Sequence, residues 1–109
     1  SKLDPSTPEG TVQAYILALA DDDDEAAVAL LDPQLGCKPP LSKPYQLNAV
    51  ALTLVKSTTN GDEALVVFDL TEYGNTPFDS WSHRESFELL RAGSAWQVTG
   101  SPWPIYGCE

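Results

Sequence analysis

Methionine is missing from the 109-residue sequence, and histidine occurs once, as His83. A chain without methionine that opens SKLDPSTPEG is expected to be a trimmed, mature segment. Its polar residues 1–6 would then act as the tether after a cleaved signal or a lipid anchor. Basic residues are also scarce, with six Lys and Arg against sixteen Asp and Glu and a formal charge of -10. That field repels phosphate backbones and anionic headgroups, which argues against nucleic acid as a partner. No apolar run approaches the roughly 20 residues that span a bilayer, so no membrane span is expected. CxxC, Cys/His clusters, Gly-rich phosphate loops, nucleophile elbows and HExxH are all missing. Zinc, phosphoryl-transfer and serine-hydrolase chemistry therefore have no support here, and no cofactor or metal is expected.

What remains is enough for one core, because 42% of the residues are hydrophobic, and the expectation is one domain over residues 7–109. The two cysteines, Cys37 and Cys108, stand in Pro-rich surroundings near a loop and the tail. In a small exported domain a lone pair so placed favours a disulfide; in a cytosolic one it would be two buried thiols. A bridge closing about 70 residues would stabilise the fold by roughly 4 kcal/mol on the chain-entropy model.

The stretch Thr7 to Asp32 predicts two helices. Thr7, Pro8 and Glu9 supply a hydroxyl cap, a first-turn proline and a first-turn carboxylate. Val12, Tyr15, Ile16, Leu19 and Ala20 follow as an apolar stripe at helical spacing, with Thr11 and Gln13 off it. The run Asp21, Asp22, Asp23, Asp24, Glu25 has the charge of a calcium site but neither the alternation nor the glycine of an EF-type loop. Capping is the simpler account, with Asp22 at the N-cap and Glu25 at N3 of a second helix that runs through Leu31 to Pro33. Residues 33–46, with four prolines and a glycine, read as a solvated connector that carries Lys38 and Lys43.

The β half begins near Leu47. Leu47 to Ser57 and Glu63 to Tyr73 flank Asn60-Gly61 as a hairpin. Ser80 to Arg91 alternates, with Trp81, His83, Glu85, Phe87 and Leu89 on one side. Ala92, Gly93 and Ser94 turn into Ala95 to Gly100, where Trp96 and Val98 join Phe87 and Leu89 against the helices. The fold class is thus α+β, two N-terminal helices on a curved antiparallel sheet of about four strands. The tail SPWPIYGCE leaves the sheet as an extended segment held by aromatic packing and Cys108.

The acidic helix pair TPEGTVQAYILALADDDDEAAVALL, and a meander that ends in SFELLRAGSAWQVTG before PWP, resemble the nuclear transport factor two-like superfamily. Its cystatin-like cone is shared with ketosteroid isomerase and polyketide cyclases. More narrowly, the chain looks like the small extracytoplasmic members found in bacterial lipoproteins and at the front of some transpeptidases. The resemblance implies an extracytoplasmic protein, secreted or lipid-anchored, and homodimerisation through the sheet as one mode of assembly. The superfamily usually places a third helix and a short strand where this chain has only residues 33–46. A smaller or more open pocket follows.

In enzymatic members the cone interior holds carboxylates, tyrosines or a histidine that move a proton next to a carbonyl. By that resemblance the candidate general acid/base groups are His83 with Glu85 or Asp69. His83 and Glu85 share a strand face about 7 Å apart, too far for a direct pair without bending. The simpler account places both at the wet end of the strand, hydrogen-bonded to its neighbours. A ligand pocket, if formed, lies where Tyr15, Ile16 and Leu19 of the first helix face Trp81, His83, Glu85 and Phe87. Of Trp81, Trp96, Trp103, Tyr73 and Tyr106, at least three are expected to be buried, the rest forming any aromatic platform for a sugar or an apolar ligand. The favoured expectation is a non-catalytic ligand-binding or interaction and spacer module whose partner is a small apolar ligand or another protein. The alternative is a small isomerase, dehydratase or cyclase-like enzyme using His83 with a carboxylate.

Overall fold

The computed structural model describes residues 2–76 and 78–108. Helix α1 (Pro8–Ala20) starts as its sequence dictates, with the Thr7 hydroxyl accepting from the Gly10 amide and Pro8 at the first helical position. The preceding residues fold back over this turn: Leu3 N–H donates to Gln13 Oε1, and the Thr7 amide donates to the Asp4 carbonyl. Gly10 permits that approach, since a Cβ there would lie 1.8 Å from the Asp4 carbonyl oxygen. The stripe Val12, Tyr15, Ile16 and Leu19 is completely buried. Thr11 is buried beside it, contrary to expectation, because its hydroxyl donates back to the Thr7 carbonyl and needs no water.

Helix α2 (Asp24–Ala29) is capped one residue later than expected. Asp23, not Asp22, accepts from the Ala26 amide, and Asp22 takes a left-handed backbone at φ 60° to turn the corner. Glu25 consequently sits at the second helical position, and the capping box is not made. The helix also stops short of Leu31. Val98 donates to the Leu30 carbonyl and accepts from the Asp32 amide, so Leu31 forms a parallel bridge beside the sheet instead of a last helical turn. A 3-10 turn follows at Pro33–Leu35, capped by Asp32.

Four antiparallel strands lie in the order β1 (Ala49–Asn60), β2 (Glu63–Tyr73), β3 (Ser80–Ala92) and β4 (Ala95–Thr99). The expected hairpin between β1 and β2 turns at Gly61, whose φ of 65° is cheap for glycine. A bulge at Val55 shifts the β1–β2 register. Alternation decides the faces. Ala64, Val66, Phe68 and Leu70 of β2 point inward with Phe87 and Leu89 of β3 and Trp96 and Val98 of β4, all buried. The two helices pack on this face, and the result is the expected cone-like α+β fold. Cys37 and Cys108 are joined in a disulfide between the connector and the tail.

Of two expectations about the periphery, one is extended and one changes. The connector is solvated over most of its length but also anchored: Asp24 accepts from the Leu41 amide and from Lys43 Nζ, and Leu41 is buried. Of the five aromatics, only Trp96 and Trp103 are buried, whereas Trp81, Tyr73 and Tyr106 are 43–56% exposed. The core did not need them, because Tyr15, Phe68 and Phe87 already fill it.

Candidate functional site

The inward face of the sheet changes character along its length. Past Leu70 and Phe87, the inward positions are Glu72 on β2 and Trp81, His83 and Glu85 on β3. Glu72 is buried at 3% exposure, and its Oε2 makes three hydrogen bonds. The partners are the Tyr45 hydroxyl at 2.8 Å, Trp81 Nε1 at 3.0 Å and His83 Nε2 at 2.6 Å. The other imidazole nitrogen of His83, Nδ1, lies 2.8 Å from Glu85 Oε2. The side chains of His83 and Glu85 retain about a quarter of their exposure, 23% and 24%. The Trp103 ring covers the imidazole with centroids 5.1 Å apart, and the Tyr45 and Trp81 rings meet edge to face.

Register explains the assembly. His83 pairs with Leu70 and Trp81 with Glu72, so Glu72 and His83 are diagonal neighbours on one face. Glu85 was expected to lie beyond direct reach of His83. The side chains lean toward each other along the strand and close that gap. Carboxylates only accept, so bonding at both ring nitrogens requires two protons among Glu72, His83 and Glu85. Either an imidazolium stands between two carboxylates, or a neutral ring faces one protonated partner. Both arrangements carry a net charge of one negative unit, and in both a proton can pass from one carboxylate to the other through the ring.

Tyr45 reports the field of this hub. Burial, then its hydrogen bond to Glu72 and the negative charge there, push its phenol up to about 12. Tyr15, raised by burial, donates its hydroxyl to the Trp103 carbonyl at 3.0 Å and so ties α1 to the tail beside the hub.

Of the residues expected in a site, His83 and Glu85 are brought together and Trp81 joins them through Glu72. Asp69 lies on the opposite face, where Arg84 binds it through Nε at 2.7 Å and Nη2 at 3.1 Å and holds its carboxyl below the usual range. Tyr15, Ile16, Leu19 and Phe87 are completely buried against one another, Tyr15 and Phe87 edge to face at 6.3 Å between centroids. Glu72 was overlooked, although its signal was present: it continues the inward series Ala64, Val66, Phe68, Leu70 two residues on. Tyr45 and Trp103 carry no such signal, since loop and tail positions have no period.

No family model matches the sequence, and no curated protein matches it. Among solved structures, the chain is similar to a SEC-C motif-containing protein from Rhodopseudomonas palustris, with a TM-score of 0.69 and 17% identity. The match covers 89% of this chain and 78% of that one. At this identity the likeness shows the fold alone, a small α+β one.

Proposed function

We propose that the protein is a non-catalytic binding or spacer module of an exported or lipid-anchored bacterial protein, akin to the small extracytoplasmic nuclear transport factor two-like domains. The observation that carries this is how the helix meets the sheet. Tyr15, Ile16 and Leu19 pack on Phe87 and its neighbours with zero exposure, where an enzymatic cone would hold its substrate. The ionisable groups at the other end satisfy one another. The Cys37–Cys108 bridge supports the extracytoplasmic half of the proposal. Self-association through the sheet belongs to the same proposal, and sedimentation decides it.

Two measurements test it. Alkylation of the unreduced protein recovered from its host should leave both cysteines unmodified; two alkylated thiols would overturn the exported location. Hydrogen–deuterium exchange next to the carbonyl of cyclohexanone, followed by proton NMR, should run at the buffer rate with the protein present.

One observation favours a second proposal, a small proton-transfer enzyme of the isomerase, dehydratase or cyclase type. An imidazole bonded at both nitrogens, partly exposed and backed by a buried carboxylate, is suited to general acid/base work. Acceleration of the exchange that disappears in His83→Gln would establish it in place of the first.

A further inference from the structure

The outer face of the sheet carries a cleft of about 490 Å³, on the side opposite the helices and the Glu72 hub. Its floor is a checkerboard. Glu63 pairs with Leu90, and Leu65 pairs with Glu88, so two carboxylates occupy one diagonal of the β2–β3 ladder and two leucines the other. Leu65 and Leu90 are each 39% exposed, high for leucines at the middle of a sheet. Thr58 and Asn60 of β1, Ser86 of β3 and Thr99 of β4 form the rim. Neither Glu63 nor Glu88 has a hydrogen-bond or ion-pair partner among the described residues. This contrasts with the other carboxylates near the sheet: Asp69 is held by Arg84, Asp62 faces Arg91, Asp32 accepts from Thr99, and Glu72 is bonded to Tyr45, Trp81 and His83. The cations on this face are Arg84, which is engaged, and Lys56 of β1, whose register partner is Val67, one inward–outward step along from Leu65.

From this arrangement we propose that the cleft docks a segment of a partner protein that presents two lysine or arginine side chains about 7 Å apart. The inference rests on the domain being a binding module and names the chemistry of its partner. Diagonal residues across a ladder stand roughly 7–8 Å apart, close to the spacing of residues i and i+2 on an extended strand. The aliphatic stems of two such side chains cover Leu65 and Leu90 while their charged heads reach Glu63 and Glu88. An acidic or purely apolar segment leaves both carboxylates facing repulsion or dry surface, and the chain's charge of -10 favours approach of the basic one.

The test is a titration of the nitrogen-15-labelled full chain with acetyl-Gly-Arg-Ser-Arg-Gly-amide at low ionic strength. Acetyl-Gly-Glu-Ser-Glu-Gly-amide and spermidine run in parallel. The arginine peptide should give saturable shifts at the amides of Leu65, Ser86, Glu88 and Leu90, and the acidic peptide none. Glu63→Gln and Glu88→Gln should each weaken binding by about threefold, the range of one exposed ion pair, with Asp22→Asn as an unaffected control. Shifts centred on the Asp21–Glu25 corner, spread over the whole acidic surface, or unchanged in Glu63→Gln and Glu88→Gln would overturn the proposal. Binding of spermidine as tight as that of the peptide would replace the protein partner with a small polyamine and overturn it equally. Ketone exchange by the same protein reads the non-catalytic proposal separately, so the two fail on different measurements.

Discussion

The inward face of the sheet has two ends built on the same strands and the same alternation, yet they solve opposite problems. At one end Val66, Phe87, Leu89 and Val98 lie under α1 and gain from leaving water. At the other, Glu72, His83 and Glu85 lie under the connector and tail, and each buried polar group needs a partner to be tolerated. The apolar end tolerates any neighbour of suitable shape. The polar end needs particular atoms at particular distances, so it orders Tyr45, Trp81 and Trp103 around itself.

The largest effect should come from breaking the apolar end. Phe87→Ala removes a completely buried ring and is expected to cost about 3–5 kcal/mol, read from the urea midpoint. Next is the bridge that holds the cover over the polar end. Replacing Cys37 and Cys108 with alanine opens a loop with a sequence separation of 71 residues and should cost roughly 4 kcal/mol, less whatever order the unfolded chain keeps. Within the hub, Glu72→Ala removes the shared partner of Tyr45, Trp81 and His83 and should cost about 1–3 kcal/mol, while Glu72→Gln, which retains an acceptor, should cost less. That ratio separates a satisfied network from mere packing.

Two pH effects sharpen the contrast further. Asp24 is depressed despite its desolvation, because the Leu41 amide and the Lys43 ammonium outweigh burial. Its contribution is present above the unfolded carboxylate value near 4 and is lost as pH falls through the lower folded value. Asp24→Asn should therefore flatten the acid limb of the thermal midpoint profile. Tyr45 runs the other way. Its folded value of about 12 lies above the unfolded value near 10, so its contribution is complete below pH 10 and lost between about 10 and 12. Tyr45→Phe should remove that part of the alkaline decline, the smallest effect of the series, and leave the part due to Tyr15.

These contrasts also divide what was legible in the sequence from what was not. The Thr7-Pro8-Glu9 start, the stripe from Val12 to Leu19 and the strand faces follow from local periodicity, and the fold followed with them. The helix corner slipped by one residue because five consecutive acids offer several equivalent caps; Asp23 takes the cap, and Asp24 is held by Lys43 and the Leu41 amide. Asp69 was proposed on residue type alone; its parity with Val67 and Thr71 puts it on the outer face. Glu72 could have been found by the same parity. Tyr45 and Trp103 reach the hub only through the anchored connector and the bridged tail, contacts between residues far apart in sequence that no local pattern encodes.

The bridge has one more consequence, for a protein under tension. Cys37 and Cys108 enclose all four strands in a covalent ring, with both helices on the chain outside it. A pull applied between the residues before Thr7 and Cys108 travels along α1, α2 and the 3-10 turn and then crosses directly from sulfur to sulfur. The backbone of the strands lies outside that covalent path. Stretching would unravel the helical segment while the sheet, its outer cleft included, kept its connectivity, so a tethered spacer of this design would lengthen under force without surrendering the surface it presents.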